Sequence, residues 1–316
     1  MSAGLLCVGE TMALMTSESV GPLAQASSLG LSIGGAESNV AIGARRLGVP
    51  TTWAGRIGTD SFGDRVEREL RAEGVDARIT RDDGAPTGLM VKERRTAGTS
   101  RVWYYRAGSA GSRLTPTDVP DDLVASAQVV HVTGITPGLS SSALATVRSI
   151  ARAATAAGVP LSFDVNHRAA VWAGRDPGPV YRELVAGAGV VFAGEDEARL
   201  VVGTEETDRV RLLEALAALT DGDVVLKLGP DGCLARVDGQ RVAQPAVPVD
   251  VLDTVGAGDA FVAGYLAELI AGAAPEQRLR TATRCGSFAC LTTTDWEGNP
   301  TRAELALLDG TDPVVR

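Results

Sequence analysis

Short apolar runs and amphipathic stretches alternate along most of this chain. Leu5 to Val8 is a continuous apolar run, the pattern of a short strand buried on both faces. Ser38 to Leu47 has helical periodicity, and Gly48 followed by Pro50 supplies stop signals. Thr51 to Gly55 reads as another strand. Phe62 to Glu73 reads as a helix, with Ser61 as its expected N-cap and Gly74 at its end. Further strands are expected at Val129 to Val132, Leu161 to Val165, Val190 to Ala193 and Val224 to Leu228. Helices are expected at Ser141 to Ala157, Glu195 to Val202 and Asp208 to Leu219, then near Ala257 to Ala271 and Pro275 to Leu291. Such alternation implies an α/β fold, a parallel sheet covered by helices on both faces. Ligands of such sheets bind beyond the carboxyl ends of the strands.

One region departs from this rhythm. Thr87 to Glu93 and Ser100 to Arg106 read as two strands joined by the turn Thr96-Ala97-Gly98-Thr99. Met12 to Ile33 has no clear helical period. Residues 12–33 and 86–113 are therefore expected to form a small β-sheet lid beside the main body, or else to extend the main sheet. No repeat, low-complexity tract or charge run interrupts the chain.

Composition narrows the function. The 316 residues fit one large domain, spanning 1–316. No apolar run approaches the ~20 residues of a membrane span. The first ten residues lack a basic region and an apolar block, so a cytoplasmic location is expected. A net charge of −9 argues against nucleic acid as a partner. The four cysteines show no C-x-x-C spacing and read as reduced thiols, and two histidines exclude a His-rich metal site. Only Lys92 and Lys227 are lysines, and no G-x-x-x-x-G-K-[ST] string occurs. A phosphate must then be held by backbone N–H groups, arginine and metal. No G-x-G-x-x-G follows the first strand, which disfavours a nicotinamide-dependent dehydrogenase.

The stretch Asp253-Thr254-Val255-Gly256-Ala257-Gly258-Asp259-Ala260-Phe261 is a glycine-rich turn opening a helix. Free N–H groups and the helix dipole favour an anion there. Asp259 would repel a phosphate lying directly on it, which suggests a second role, that of accepting a proton from an attacking hydroxyl. The helix start is expected to keep Asp259 ionised. The alternative is a turn with a capping carboxylate. Far upstream lies Gly34-Gly35-Ala36-Glu37-Ser38-Asn39-Val40-Ala41, then Leu47-Gly48, then Gly55 to Gly63. Gly35 would let a ligand approach the backbone. Asn39, one turn later, can both donate and accept and so either contacts a ligand's polar groups or serves as a capping residue.

These two signatures, in this order, resemble the ribokinase-like (PfkB) family of carbohydrate kinases over essentially the full chain. The resemblance implies a three-layer α/β/α sandwich with a mainly parallel sheet and a small β-sheet lid. It implies an ATP-dependent kinase with Mg²⁺ and a monovalent cation such as K⁺, with Asp253 a candidate support for that cation. Asp259 would be the catalytic base, and Gly256, Ala257 and Gly258 the anion hole. The strings around Val102 to Ser112 and Asp164 to Arg168 look like the 2-keto-3-deoxygluconate kinase branch. Carried over, Tyr104, Arg106 and Arg168 hold an acid sugar, as planar paired arginine donors suit a carboxylate. Met90 stands where close relatives are expected to carry an aromatic residue, and it cannot hydrogen-bond as tyrosine does. Lys227, Gly229 and Gly232 resemble the strand and turn bordering the nucleotide. Glu197 and Asn166, with Asp164, are expected near Mg²⁺ through water; Gly194 replaces the asparagine of that motif. The alternatives are a kinase of a neutral sugar such as fructose or ribose, or a sugar-sensing protein on the same fold. A homo-oligomer, dimer or larger, is expected from strand addition at the lid edge.

Overall fold

The computed structural model describes residues 3–96 and 99–309. Thirteen strands are found among them. In chain order they are β1 (Ala3–Val8), β2 (Met12–Ser17), β3 (Leu29–Gly34), β4 (Thr51–Gly58), β5 (Asp76–Asp82), β6 (Leu89–Thr96) and β7 (Thr99–Tyr105). Then follow β8 (Ala127–Thr133), β9 (Leu161–Asp164), β10 (Val190–Gly194), β11 (Asp223–Lys227), β12 (Cys233–Val237) and β13 (Gln240–Gln244). Nine of them form one sheet in the order β13-β12-β11-β10-β9-β8-β1-β4-β5. Pairing is parallel from β11 to β5, and β12 and β13 add antiparallel at one edge.

The apolar runs become the centre of this sheet for a simple reason. Successive side chains of a strand point to opposite faces, so a strand covered on both sides must be apolar throughout. Leu5 and Cys7 join the core on one face, and Leu6 and Val8 the core on the other. Phe192 and Val225 likewise face away from Val191 and Val224. The helices Ala36–Arg46, Ala257–Ile270 and Pro275–Ala289 cover the first face, and Ser141–Ala157 and Arg209–Ala217 the second. Each buried Leu or Val contributes about 1.5–3 kcal/mol, several times what a helix cap contributes. The three-layer α/β/α arrangement thus follows from the runs.

The expected helices are found with ends shifted by at most two residues. One cap differs: Asp60, not Ser61, caps the helix Ser61–Ala72. Its Oδ1 accepts from Gly63 N at 2.8 Å, and its Oδ2 accepts from Thr87 N at 2.8 Å. An ionised carboxylate at the cap serves two backbone donors, where a hydroxyl has one position to offer. Sequence patterning did not reveal β5, β12, β13 or the helix Gly178–Ala186; β5 and β13 are the two edge strands, where one side is solvated and the alternation is diluted.

A second sheet, in the order β3-β2-β6-β7, stands separate from the first. It is not an extension of the main sheet. Residues 97 and 98 of the expected turn lie outside the described residues, but β6 and β7 pair antiparallel as a hairpin requires. Register sets Leu14 beside Met90 and Met90 beside Tyr104, so these residues share one face, and Met12, Leu14 and Met90 bury together there. Among the described residues, no helix is long and apolar enough to cross a membrane.

Candidate functional site

The carboxyl ends of β1, β8, β9, β10 and β11 open into a cavity of about 880 Å³, roofed by the second sheet. Glu10, Asp164, Asn166, Glu197 and Lys227 reach it from the strand ends, and Met90, Tyr104 and Arg106 from the roof. Gly256, Gly258 and Asp259 enter at the start of the helix Ala257–Ile270, and Gly35 and Asn39 at the start of Ala36–Arg46. Arg168 completes the wall. A second cavity of about 680 Å³ adjoins it across Lys227, Gly229, Thr254 and Gly258. That one is apolar, with Val247, Val249, Val251 and Phe261, and it includes Ala257 and Gly232. The expected catalytic, sugar, nucleotide and magnesium residues therefore border one of two adjoining spaces, whereas Asp253, expected at a cation site, lines neither and pairs with Lys92.

Asp259 sits in the first turn of its helix. Asn39 Nδ2 donates to its Oδ2 at 2.8 Å, and Asn166 Nδ2 lies 3.4 Å from its Oδ1. Asn39 thus joins the two distant signatures physically. Among the described residues, its buried Oδ1 has no hydrogen-bond partner. Asn166 adopts φ 35°, a left-handed conformation that costs energy and recurs at functional sites. The expectation that the helix start keeps Asp259 readily ionised is corrected. Burial pushes its carboxyl up to about 7, against the hydrogen bond from Asn39, and the nearby Asp164 charge adds to the rise. A helix terminus contributes about 0.3–1 kcal/mol, too little to offset the loss of water.

The glycines differ in what demands them. Gly256 caps the helix at φ 78°, and a Cβ there would collide with the Asp295 carbonyl oxygen. Gly258 is bare without any packing reason: a Cβ would meet only Lys227 Nζ, at 3.8 Å. The space it leaves belongs to the cavity. Gly35 is required by the backbone of Glu10 and Thr11, which a Cβ would strike, so its smallness is not reserved for a ligand. Gly232 turns at φ 94° against Gln244 O, a demand of the β11–β12 connection. A Cβ on Gly229, at φ 58°, would meet no other group among the described residues.

Charge is arranged in pairs. Lys227 Nζ donates to both oxygens of Asp164, at 2.7 and 2.9 Å. Burial pulls the Lys227 ammonium down, but the Asp164 carboxylate outweighs it and holds the lysine charged. Glu197 accepts from Gly194 N at 2.7 Å and from His167 N at 2.8 Å. The Gly194 N–H suffices for this, so the missing asparagine side chain does not break that turn. Arg106 Nε donates to Glu10 Oε2 at 2.8 Å, and its guanidinium lies 5.7 Å from the Tyr104 ring centre. Arg168 donates to His167 O at 3.2 Å and is otherwise exposed to the cavity.

Four residues escaped the sequence reading. Glu10 neutralises much of Arg106; its signal was its place just past the first strand. Glu37 is buried and accepts from Thr133 and Thr136 at 2.7 and 2.8 Å, and burial raises its carboxyl. Lys92 and Asp295 meet beneath the roof, 3.9 Å apart. Lys92 had a signal, being one of two lysines in an arginine-rich chain.

No group of three or more His, Cys, Asp or Glu among the described residues is placed to hold a metal. Asp164, Asn166 and Glu197, already engaged, suit an ion that keeps its water and binds mostly to phosphate, as Mg²⁺ does.

Comparison with known proteins gives one consistent picture. The profile described as pfkB family carbohydrate kinase matches residues 2–302. The chain is 35% identical over 281 residues to a 2-dehydro-3-deoxygalactonokinase of Haloferax volcanii, covering 88% of each. It is 32% identical to a 2-dehydro-3-deoxygluconokinase of Bacillus subtilis, over 97% of this chain and 95% of that one. A PfkB protein of Polaromonas sp. JS666 superimposes with a TM-score of 0.86 at 32% identity, over 96% of this chain and 99% of the other.

Proposed function

The chain belongs to the pfkB family of carbohydrate kinases, and from that premise we propose that it moves the γ-phosphoryl group of ATP onto the primary hydroxyl of 2-keto-3-deoxygluconate or a close aldonate. The observation that carries this reading is convergence. A carboxylate suited to take a proton, Asp259, shares one cavity with Arg168, which donates to one backbone carbonyl, and Arg106, which pairs with Glu10.

Asp259 accepts the hydroxyl proton as the new O–P bond forms and the bond to the ADP oxygen breaks. A positioned base contributes about 10²–10⁴-fold. The remaining catalysis is alignment and charge stabilisation. The amides of Gly256, Ala257 and Gly258 meet the developing phosphoryl charge at the helix start. Lys227 adds positive charge from the floor. The apolar second cavity suits an adenine ring, with Gly229 at its mouth. Asn39 keeps Asp259 aimed and offers its unpartnered Oδ1 to a sugar hydroxyl, while Tyr104 and Met90 close over the sugar. Asp164, Asn166 and Glu197 would hold Mg²⁺ through its water, and the ion would supply positive charge to the phosphate oxygens. The second sheet would act as a lid that excludes water as a rival acceptor. A cytoplasmic homo-oligomer completes the proposal.

One observation favours the second reading, a neutral sugar such as fructose or ribose. Glu10 already pairs with Arg106, leaving Arg168 as the fuller carboxylate partner. Variants separate the two. Arg168→Ala with Arg106→Ala should lower kcat/KM for the acid sugar by about 10²-fold or more, on the scale of two lost charged hydrogen bonds, with much smaller losses on fructose. Equal losses on both sugars would remove the carboxylate clamp.

A further inference from the structure

Lys92 is the largest charged side chain sealed inside this protein, with 1% of its surface exposed. It lies on β6, two residues beyond Met90 and on the same face, so its stem runs under the second sheet. Its ammonium has three oxygen neighbours. Asp253 Oδ2 is at 2.7 Å, Thr293 O at 3.4 Å and Asp295 Oδ1 at 3.9 Å. Carboxylate and carbonyl oxygens gathered around one positive centre are the hard donors that oxygen-seeking metal cations take.

The contacts lead directly to the glycine turn. The other oxygen of Asp253, Oδ1, accepts from Val255 N at 3.1 Å, fixing the residue before Gly256. The Asp295 backbone carbonyl lies against Gly256, where no Cβ would fit. Both carboxylates that hold Lys92 therefore belong to the two segments that shape the turn. Without a positive charge between them, the buried Asp295 carboxylate and the half-buried Asp253 one would repel, and the segments would part. Burial already pushes Asp295 up to about 6, with the Lys92 charge pulling against that rise.

We infer that Lys92 is a built-in cation: its tethered ammonium does at the Asp253–Asp295 site what a bound K⁺ would otherwise do, so this kinase holds its phosphate turn without a monovalent metal ion. A tethered group acts at an effective concentration of millimolar or more, whatever the surrounding salt. Lys92 is thus a positioning residue acting through Asp253, Asp295 and Gly256. Because its stem comes from β6, it also joins the second sheet to the phosphate turn. The inference rests on the proposed role of residues 256–258 only for its activity readout; its stability readout is independent of that role.

The test compares wild type with Lys92→Ala in three chloride salts: potassium, ammonium and tetramethylammonium, the last too large for the site. Thermal midpoint and kinase rate are read in each. Wild type should be indifferent to the salt, within about twofold in rate. Lys92→Ala should lose at least tenfold in tetramethylammonium. It should recover most of that loss in K⁺ or NH₄⁺, with a matching rise in midpoint. Recovery by an added cation is something a merely structural lysine cannot produce. Lys92→Met, which keeps most of the stem volume, replaces the alanine variant if that one does not fold. Severalfold activation of wild type by K⁺, or a folded variant blind to K⁺ and NH₄⁺ in both readouts, overturns the inference. Should neither variant fold, the wild-type salt series decides alone. If no sugar turns over at all, the midpoints still decide this inference, and the proposed function fails separately.

Discussion

At Asp259 two environments compete, and their balance fixes how the site responds to pH. Burial raises the carboxyl to about 7, while Asn39 favours the charged form. A base works only when ionised, so kcat/KM should fall about tenfold per pH unit below about 7 and level off above it. A profile flat down to about pH 5 would contradict Asp259 as the base. Stability runs the opposite way. The folded value lies above the ordinary one of 3.8, so this group favours folding fully below that value, and its contribution is lost as pH rises through about 7. Asp259→Asn should therefore cut kcat by about 10²–10⁴-fold. It should also stabilise the fold at about pH 8, by about 1–2 kcal/mol once the carboxylate's partial access to the cavity is allowed for, and so raise the melting midpoint. Asp259, Asn39 and the glycine turn were legible because each sits in a short contiguous string. Glu10 was not: its pairing with Arg106 joins positions 96 apart, and no local pattern announces an ion pair between distant segments.

Among the elements, legibility followed burial. The central strands β1, β8, β9, β10 and β11 were visible because burial on both faces forces continuous apolar runs. β5 and β13 are edge strands with a solvated side, and their alternation is too diluted to stand out. The stretch Met12 to Ile33 lacked a helical period and gave β2 and β3, so an absence of pattern proved informative about the second sheet. β7 closes that sheet with an unpaired edge, and its neighbouring Trp103 and Tyr105 are 41% and 65% exposed. An open apolar edge is costly in a monomer and invites strand addition by another copy. Light scattering should therefore give twice the chain mass or more, and Tyr105→Lys should shift it toward a monomer. A wild-type monomer at micromolar concentration would refute this pairing.

Across the whole molecule, the fold brings five strand ends, two helix starts and a roof to one place, using segments from Glu10 to Asp295. Two glycine signatures were enough to anticipate that meeting, because the α/β pattern forces ligands to the carboxyl ends of its strands. Glu10 pairs with Arg106 at the cavity wall, and on the proposed reading that sharing is where acid and neutral sugars are told apart. The second sheet and the glycine turn meet at Lys92 through Asp253 and Asp295, which on the proposed reading joins lid closure to phosphate alignment. Substrate choice is tested most directly by a coupled assay of ATP consumption with Mg²⁺ that compares kcat/KM for 2-keto-3-deoxygluconate with that for fructose and ribose. A preference for the acid sugar of about 10²-fold or more is predicted, the discrimination expected when a site built for a charged group is left unpaired. Equal or better use of either neutral sugar would contradict an acid-sugar kinase.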